Sequence, residues 1–271
     1  MTTGQRRTVI VGTGRIGTAL AVPAPGRSLT MLSGRAVLED PDLIPLDTDL
    51  VIHAAGPAGE DACQADPAMA TALHETLTTR LVEWAIVGPS RRLICLGTVA
   101  PAAGFYGSLK RTALAHARTY VNHVGCGHRL RVIECGQVIG EGMPLGAVDG
   151  GVVAAFLRRA MAGQRLLVNG QGTQTIRYTP LSSLVRVLAA IRLHWPKYEV
   201  LSPVSEPITI LDLARLCLRV AGRDVVSASA SAHTDTTPAG SYTDPTGELV
   251  PVAALDEVLA QWMTAAQRER P

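Results

Sequence analysis

The sequence predicts an α/β fold, a doubly wound parallel sheet with a small C-terminal lobe, and three features carry that expectation. Short, wholly apolar runs rich in β-branched residues recur through the first half. Helix-like stretches separate the later runs. The first run ends in a glycine-rich turn. Strands apolar on both faces belong to a sheet covered on both sides, and strands alternating with helices belong to a parallel one.

Taken in order, the predicted strands are Thr8–Val11, Ser28–Leu32, Leu50–His53, Leu93–Leu96 and Leu130–Ile133, with helices over Ala68–Ile86 and Ser108–Asn122. Roughly thirty residues separate the glycine turn from the strand at Leu50, too few for a full complement of helices and strands. Pro23, Pro25, Pro41 and Pro45 interrupt that interval, so its helices are stubs. Further on, helices are expected at Val152–Met161, Leu181–Leu193 and Ile210–Ala221, the last opened by Thr209 as N-cap. Ala228–Gly247 is rich in Ser, Thr, Pro, Gly and Asp and reads as loop. Ala254–Arg268 reads as an amphipathic helix. There is no internal repeat.

Composition removes several classes of function. Apolar residues make up 47% of the chain and charged residues 18%, which suits a packed core and argues against disorder. Aromatics at 4% are too few for a surface that stacks nucleic-acid bases, and a net charge of +2 leaves no footprint for a polyanion. No apolar run reaches membrane-spanning length, and Met1–Arg7 is polar with no apolar segment after it, so neither a membrane span nor a signal peptide is expected. The five cysteines are odd in number, widely spaced and without a CxxC pair. They predict neither a disulfide framework nor a zinc site, and a reducing cytoplasm is the expected setting. His116, His123 and His128 have no carboxylate or cysteine to complete a metal site. Of the 25 basic residues only Lys110 and Lys197 are lysines, so each lysine stands out.

Val9-Ile10-Val11 runs into Gly12-Thr13-Gly14-Arg15-Ile16-Gly17 and then Thr18-Ala19-Leu20, a strand, a GxGxxG turn and the start of a helix. Gly12 allows the tight turn, Gly14 lets a pyrophosphate approach the backbone, and Gly17 lets helix and strand pack closely. Arg15 and Ile16 complete the loop. This is the sequence of a Rossmann-type dinucleotide site. After the second strand, NAD recognition calls for an acidic residue that holds the ribose hydroxyls. Here the residues are Ser33-Gly34-Arg35, and a guanidinium suits a 2′-phosphate. NADP(H) is favoured, with NAD(H) left open.

Tyr106 and Lys110 lie four residues apart, on one face of a predicted helix. An adjacent ammonium stabilises phenolate, so Lys110 is expected to lower the Tyr106 pKa for acid–base work and to reach the cofactor ribose. Thr98 follows the strand Leu93–Leu96, at the sheet end where ligands of such folds bind.

These segments resemble the short-chain dehydrogenase/reductase superfamily, in particular its extended, epimerase/dehydratase-like branch. Asp49-Leu50-Val51-Ile52-His53-Ala54-Ala55-Gly56 resembles the strand motif whose end, Ala54, Ala55 and Gly56, lies beside the cofactor. Tyr106-Gly107-Ser108-Leu109-Lys110 resembles the catalytic motif. Gly170–Tyr178 resembles the segment before a late strand, and Glu206–Ala214 the start of a C-terminal helix. The resemblance implies Tyr106 as proton donor, Lys110 as orienting residue and Thr98 as the residue that binds the substrate oxygen. It also implies that Arg177 grips a diphosphate and that Glu134-Cys135-Gly136-Gln137 closes a strand near the nicotinamide, with Gln137 facing substrate and Cys135 as a small lining residue.

The departures from the family pattern are specific. His74 stands where the family has the Asn that completes its proton relay. Thr98 and Tyr106 are eight positions apart, closer than is usual, with Pro101 and Gly104 between them, which predicts a displaced tyrosine. A tyrosine so displaced would leave the proton to water or a substrate hydroxyl, the alternative to Tyr106 as donor. Ser182-Ser183 replaces a late acidic pair. Thr98-Val99-Ala100-Pro101 lacks the acidic pair that dehydratases carry after their Ser/Thr, and an NADP-type site does not suit an epimerase's resident NAD.

The expectation is an NADPH-dependent ketoreductase acting on a ketone of a specialised-metabolite intermediate, polyketide-type such as an angucyclinone. A nucleotide-sugar 4-keto reductase or epimerase, and a non-catalytic NADP(H)-binding redox sensor, are the alternatives. Residues 1–140, together with part of 173–203, form the expected NADP-binding domain, and 141–172 with 204–271 the substrate lobe. Relatives commonly dimerise through the helices corresponding to Ala68–Ile86 and Ser108–Asn122, so a monomer or homodimer is expected, with no nucleic-acid or membrane partner.

Overall fold

The computed structural model describes residues 6–21, 27–99, 104–141, 143, 145, 151–197, 199–223, 241–243 and 249–268. The strands in chain order are β1 (Arg6–Val11), β2 (Arg27–Leu32), β3 (Thr48–His53), β4 (Arg92–Thr98), β5 (Leu130–Cys135), β6 (Gln137–Ile139), β7 (Thr175–Ile176), β8 (Tyr178–Pro180), β9 (Val200–Leu201), β10 (Ile208–Thr209), β11 (Ser241–Thr243) and β12 (Leu249–Pro251). The helices are α1 (Arg15–Leu20), α2 (Gly34–Glu39), α3 (Glu60–Ala65), α4 (Pro67–Thr71), α5 (Leu77–Val87), α6 (Phe105–His123), α7 (Gly151–Met161), α8 (Leu181–Leu193), α9 (Ile210–Val220) and α10 (Leu255–Arg268).

The chain folds into two units: residues 1–135, 185–202 and 243–248, and residues 136–184, 203–242 and 249–271. In the first, six described strands form one sheet in the order β2-β1-β3-β4-β5-β9, with every neighbouring pair parallel. Its apolar strands are buried on both faces, as their composition requires. Val9, Val51, Leu93 and Val132 pack with Leu77, Leu81 and Val82 of α5 and Leu114, Ala117 and Val121 of α6. Ile10, Ile52, Ile94 and Ile133 alternate with them and are at most 1% exposed. The first two helices are six-residue stubs, as the prolines predicted; Pro23 and Pro25 lie outside the described residues.

The predicted helix Ala68–Ile86 is α4 running into α5 through a π-helical turn at Ala72–Thr76. The predicted helix Ser108–Asn122 begins earlier, at Phe105, so Tyr106 sits in its first turn. In the second unit α7, α9 and α10 pack together, β6 pairs in parallel with β8, and β7 pairs antiparallel with β10. Thr209 caps α9 by accepting from the Asp212 amide at 3.1 Å. Of the predicted loop Ala228–Gly247, residues 241–243 are a strand and the remainder lies outside the described residues. No helix among the described residues is long and apolar enough to cross a membrane.

Candidate active site

The sheet order reverses direction between β1 and β3, where the chain leaves β1 first to one side and later to the other. Crevices at such switch points, at the C-terminal strand ends, are the binding places of doubly wound folds. Gly12 turns there with φ +130°, donating to the Leu32 carbonyl at 2.8 Å. A Cβ on Gly12 would stand 2.6 Å from the Ala54 carbonyl carbon, and one on Gly17 would stand 1.9 Å from the Gly12 oxygen. Nothing lies within 4 Å of the Cβ position of Gly14. Two glycines are therefore required by packing, and the middle one faces open space, the arrangement a pyrophosphate needs. Arg15 is exposed and Ile16 half-buried at the start of α1. Ala54, half-buried, and Ala55, buried, lie against Gly12, and Gly56 follows with φ +118°. Ser33 is the N-cap of α2 without a capping hydrogen bond from its side chain, and Arg35 is exposed. These residues fit a dinucleotide.

The Thr98 side chain lies close enough to the Tyr106 phenol to favour its ionised form. Ala100–Ala103, in the short loop between them, lie outside the described residues. Helix α6 begins at Phe105, which places Tyr106 in its first turn. Lys110, one turn along, donates from Nζ to the Leu96 carbonyl at 2.7 Å. Burial holds its pKa below the ordinary lysine value. The Tyr106 pKa runs opposite to expectation: burial, then the neighbouring Cys135, push it up to about 12, against the lowering effect of Thr98. Lys110 bonds a backbone carbonyl, and desolvation of the phenolate outweighs any help from its charge.

His74 occupies the π-turn. Its ring meets Tyr106 edge-on with centroids 5.9 Å apart, and Nε2 lies 3.0 Å from the Pro57 carbonyl. A carbonyl only accepts, so Nε2 carries the proton. Burial, then the charge of Lys110, lowers the His74 pKa to about 4. His53, at the end of β3, is also buried, and the same two causes, followed by His74, lower its pKa to about 3. Its Nε2 lies 3.1 Å from the Thr78 hydroxyl, which in turn donates to the His74 carbonyl at 2.6 Å. Burial pushes the Cys95 and Cys135 thiols to about 12, so both stay protonated.

Gln137 and Arg177 belong to the second unit. The Gln137 amide donates to the Arg177 carbonyl at 2.9 Å, and its side-chain Nε2 fills the space beside Gly151, where a Cβ would stand 2.0 Å away. The exposed Arg177 guanidinium donates to the Ser205 carbonyl at 3.1 Å. One residue of the site, Glu60, belongs to no sequence motif. Its Oε1 accepts from the Phe105 amide at 2.9 Å and its Oε2 from the Tyr106 amide at 3.0 Å. The bonded partners are 45 and 46 residues away, beyond any local pattern.

Over 97% of its length the chain superposes on WbmF of Bordetella bronchiseptica in complex with NADH, at TM-score 0.72 and 16% identity, covering 92% of that chain. It matches the UDP-glucose 4-epimerase of Thermotoga maritima, solved with UDP-glucose, at TM-score 0.72 and 16% identity over 97% of this chain and 99% of that one. The chain shares the fold of these two proteins. No family model matches it. A stretch of 101 residues is 32% identical to the dTDP-4-dehydro-6-deoxy-D-allose reductase of Streptomyces bikiniensis, spanning 36% of this chain and 30% of that reductase.

Proposed function

We propose that this chain is an NAD(P)(H)-dependent oxidoreductase that reduces the ketone of a nucleotide-linked sugar to an alcohol. The neighbouring hydroxyls of Thr98 and Tyr106, at the sheet end that also carries the glycine turn, are the observation that supports it. Two hydroxyls on one spot can hold a carbonyl oxygen by donation. With its pKa near 12, Tyr106 is fully protonated at neutral pH, and a developing alkoxide is a base strong enough to take its proton. Lys110, one turn along the same helix face, brings a positive charge to the side of the helix on which the phenolate forms. Gly12, Gly14, Arg15, Ile16 and Gly17 would hold the dinucleotide pyrophosphate, Ser33 and Arg35 its adenosine ribose, and Ala54–Gly56 would line it. When bound, the dinucleotide supplies the hydride.

The sugar class is favoured over a polyketide-type ketone by the stretch shared with a dTDP-keto-sugar reductase and by the likeness to an epimerase solved with UDP-glucose. An exposed arginine such as Arg177 suits a diphosphate. Thr98 is followed by Val99, with no carboxylate to drive dehydration.

The test follows the absorbance of reduced nicotinamide with a dTDP-4-keto-6-deoxyhexose and, separately, an aromatic polyketide ketone, in the parent and in Tyr106→Phe. Turnover of the keto-sugar nucleotide is expected, with kcat falling about 100-fold in the variant. Turnover of the polyketide ketone alone would return the reaction to that substrate class. Tight NADP(H) binding with no turnover of either would favour a redox sensor.

A further inference from the structure

Helix α6 carries Tyr106 and Lys110 but has nothing of its own to hold its first turn. Its N-cap is Gly104, without a side chain, and there is no acidic residue among its first positions. The first amides of any helix are donors without helical partners. Here two of them are taken by one carboxylate from a separate element, since Glu60 reaches across from the first turn of α3 with an oxygen to each.

The contact is built from both sides. Gln64, one turn along α3, donates to Oε1 at 2.7 Å and fixes the carboxylate's orientation. A Cβ at position 104 would stand 2.6 Å from Oε2, so glycine there makes room for it. Glu60 follows Gly59, whose φ of +93° turns the chain after Pro57. Pro57 is in turn held by His74, the residue whose ring meets Tyr106. The amides of Phe105 and Tyr106 hold the Glu60 carboxyl below the usual carboxylate range, so it is ionised at neutral pH.

We infer that Glu60 is a positioning residue for Tyr106. Its carboxylate fixes the backbone end of the tyrosine, while the Thr98 side chain acts at the hydroxyl end. The assignment rests on the proposed reductase reaction, in which Tyr106 gives the proton. Glu60 acts through two backbone amides, and misplacing a reacting group by about 1 Å costs on the order of 100-fold in rate.

The experiment compares Glu60→Ala, Glu60→Gln and Thr209→Ala, the last removing a helix cap from α9 as a control for lost stability alone. Readouts are kcat and KM with the keto-sugar nucleotide, NADPH affinity by fluorescence, and hydrogen exchange of the Phe105 and Tyr106 amides. Glu60→Ala is expected to lower kcat at least about tenfold, with KM and NADPH affinity held within about threefold. Glu60→Gln keeps one acceptor oxygen and should lose less, and Thr209→Ala should leave kcat unchanged. A kcat for Glu60→Ala equal to that of Thr209→Ala, or NADPH affinity falling in step with kcat, overturns the inference. If the parent turns over no ketone, the reductase reaction has failed and exchange alone decides. Protection of the two amides that drops about tenfold in Glu60→Ala upholds the positioning role, and equal rates sink it.

Discussion

At the scale of single residues, the proposed preference for NADP(H) rests on Ser33 and Arg35. An acidic side chain at this turn would hold two ribose hydroxyls and repel a phosphate; a hydroxyl and an exposed guanidinium do the reverse. Arg35→Ala is therefore expected to weaken NADPH binding about tenfold, or about 1.4 kcal/mol, while NADH affinity moves by less than about threefold. Fluorescence titration with both nucleotides measures this, and an equal loss for both would remove Arg35 from recognition of a 2′-phosphate. The candidate residues legible in the sequence, Gly12, Gly14, Gly17, Thr98, Tyr106 and Lys110, announce themselves through spacings of a few positions. Glu60 does not, because its partners are 45 and 46 residues away, and the contact of His53 with Thr78, 25 residues on, is likewise made only by the fold. The direction of the Tyr106 pKa is illegible for a related reason. A spacing places the ammonium near, but it says nothing of the desolvation that outweighs it.

At the scale of elements, close packing of α2 on the end of β3 depends on one missing methyl group. A Cβ on Gly34 would stand 2.4 Å from that of Ala55 and 3.3 Å from Leu73 Cδ2. Gly34 opens α2, so alanine there gains less than the about 1 kcal/mol it gains over glycine in a helix interior, while overpacking costs about 1–3 kcal/mol. At 2.4 Å the clash wins, so Gly34→Ala should lower the melting temperature by several degrees, roughly 4 °C per kcal/mol at most for a chain of this size. It should also weaken NADPH binding, since Ala55 packs against Gly12 of the proposed dinucleotide cradle. A variant that melts at or above the parent would show that α2 shifts freely. The long elements of the first half were readable because five strands and two helices repeat their pattern over enough residues. The strands β6 to β10 have only two or three residues each, too short for any alternation to show. The π-turn at Ala72–Thr76 is hidden for another reason: its residues suit a helix, and the extra residue in the turn leaves no compositional mark.

At the scale of the whole molecule, the parallel sheet was foreseeable but its last strand was not, since β9 returns to pair Val200 with Val132 from far along the chain. The same sheet shapes the response to acid. His53 sits at the end of β3 and His74 in the helix packed on it, 6% and 2% exposed, and both are held neutral. Unfolding returns each to a pKa of 6.5, against about 3 and about 4 in the fold. Below pH 6.5 the unfolded chain takes up two protons that the folded chain refuses, so stability present above pH 6.5 is lost as pH falls. The slope from this pair is about 2.7 kcal/mol per pH unit down to pH 4, where His74 begins to titrate in the fold, and His53 continues alone to about pH 3. Glutamine at position 74 keeps a donor for the Pro57 carbonyl but carries no titrating group. His74→Gln should therefore halve the pair's contribution, leaving the measured slope shallower than the parent's by about 1.4 kcal/mol per pH unit between pH 6.5 and 4. Urea unfolding at a series of pH values gives both slopes. Equal slopes in parent and variant would mean that His74 titrates in the fold as it does in water, and that its burial beside Lys110 leaves its charge unopposed.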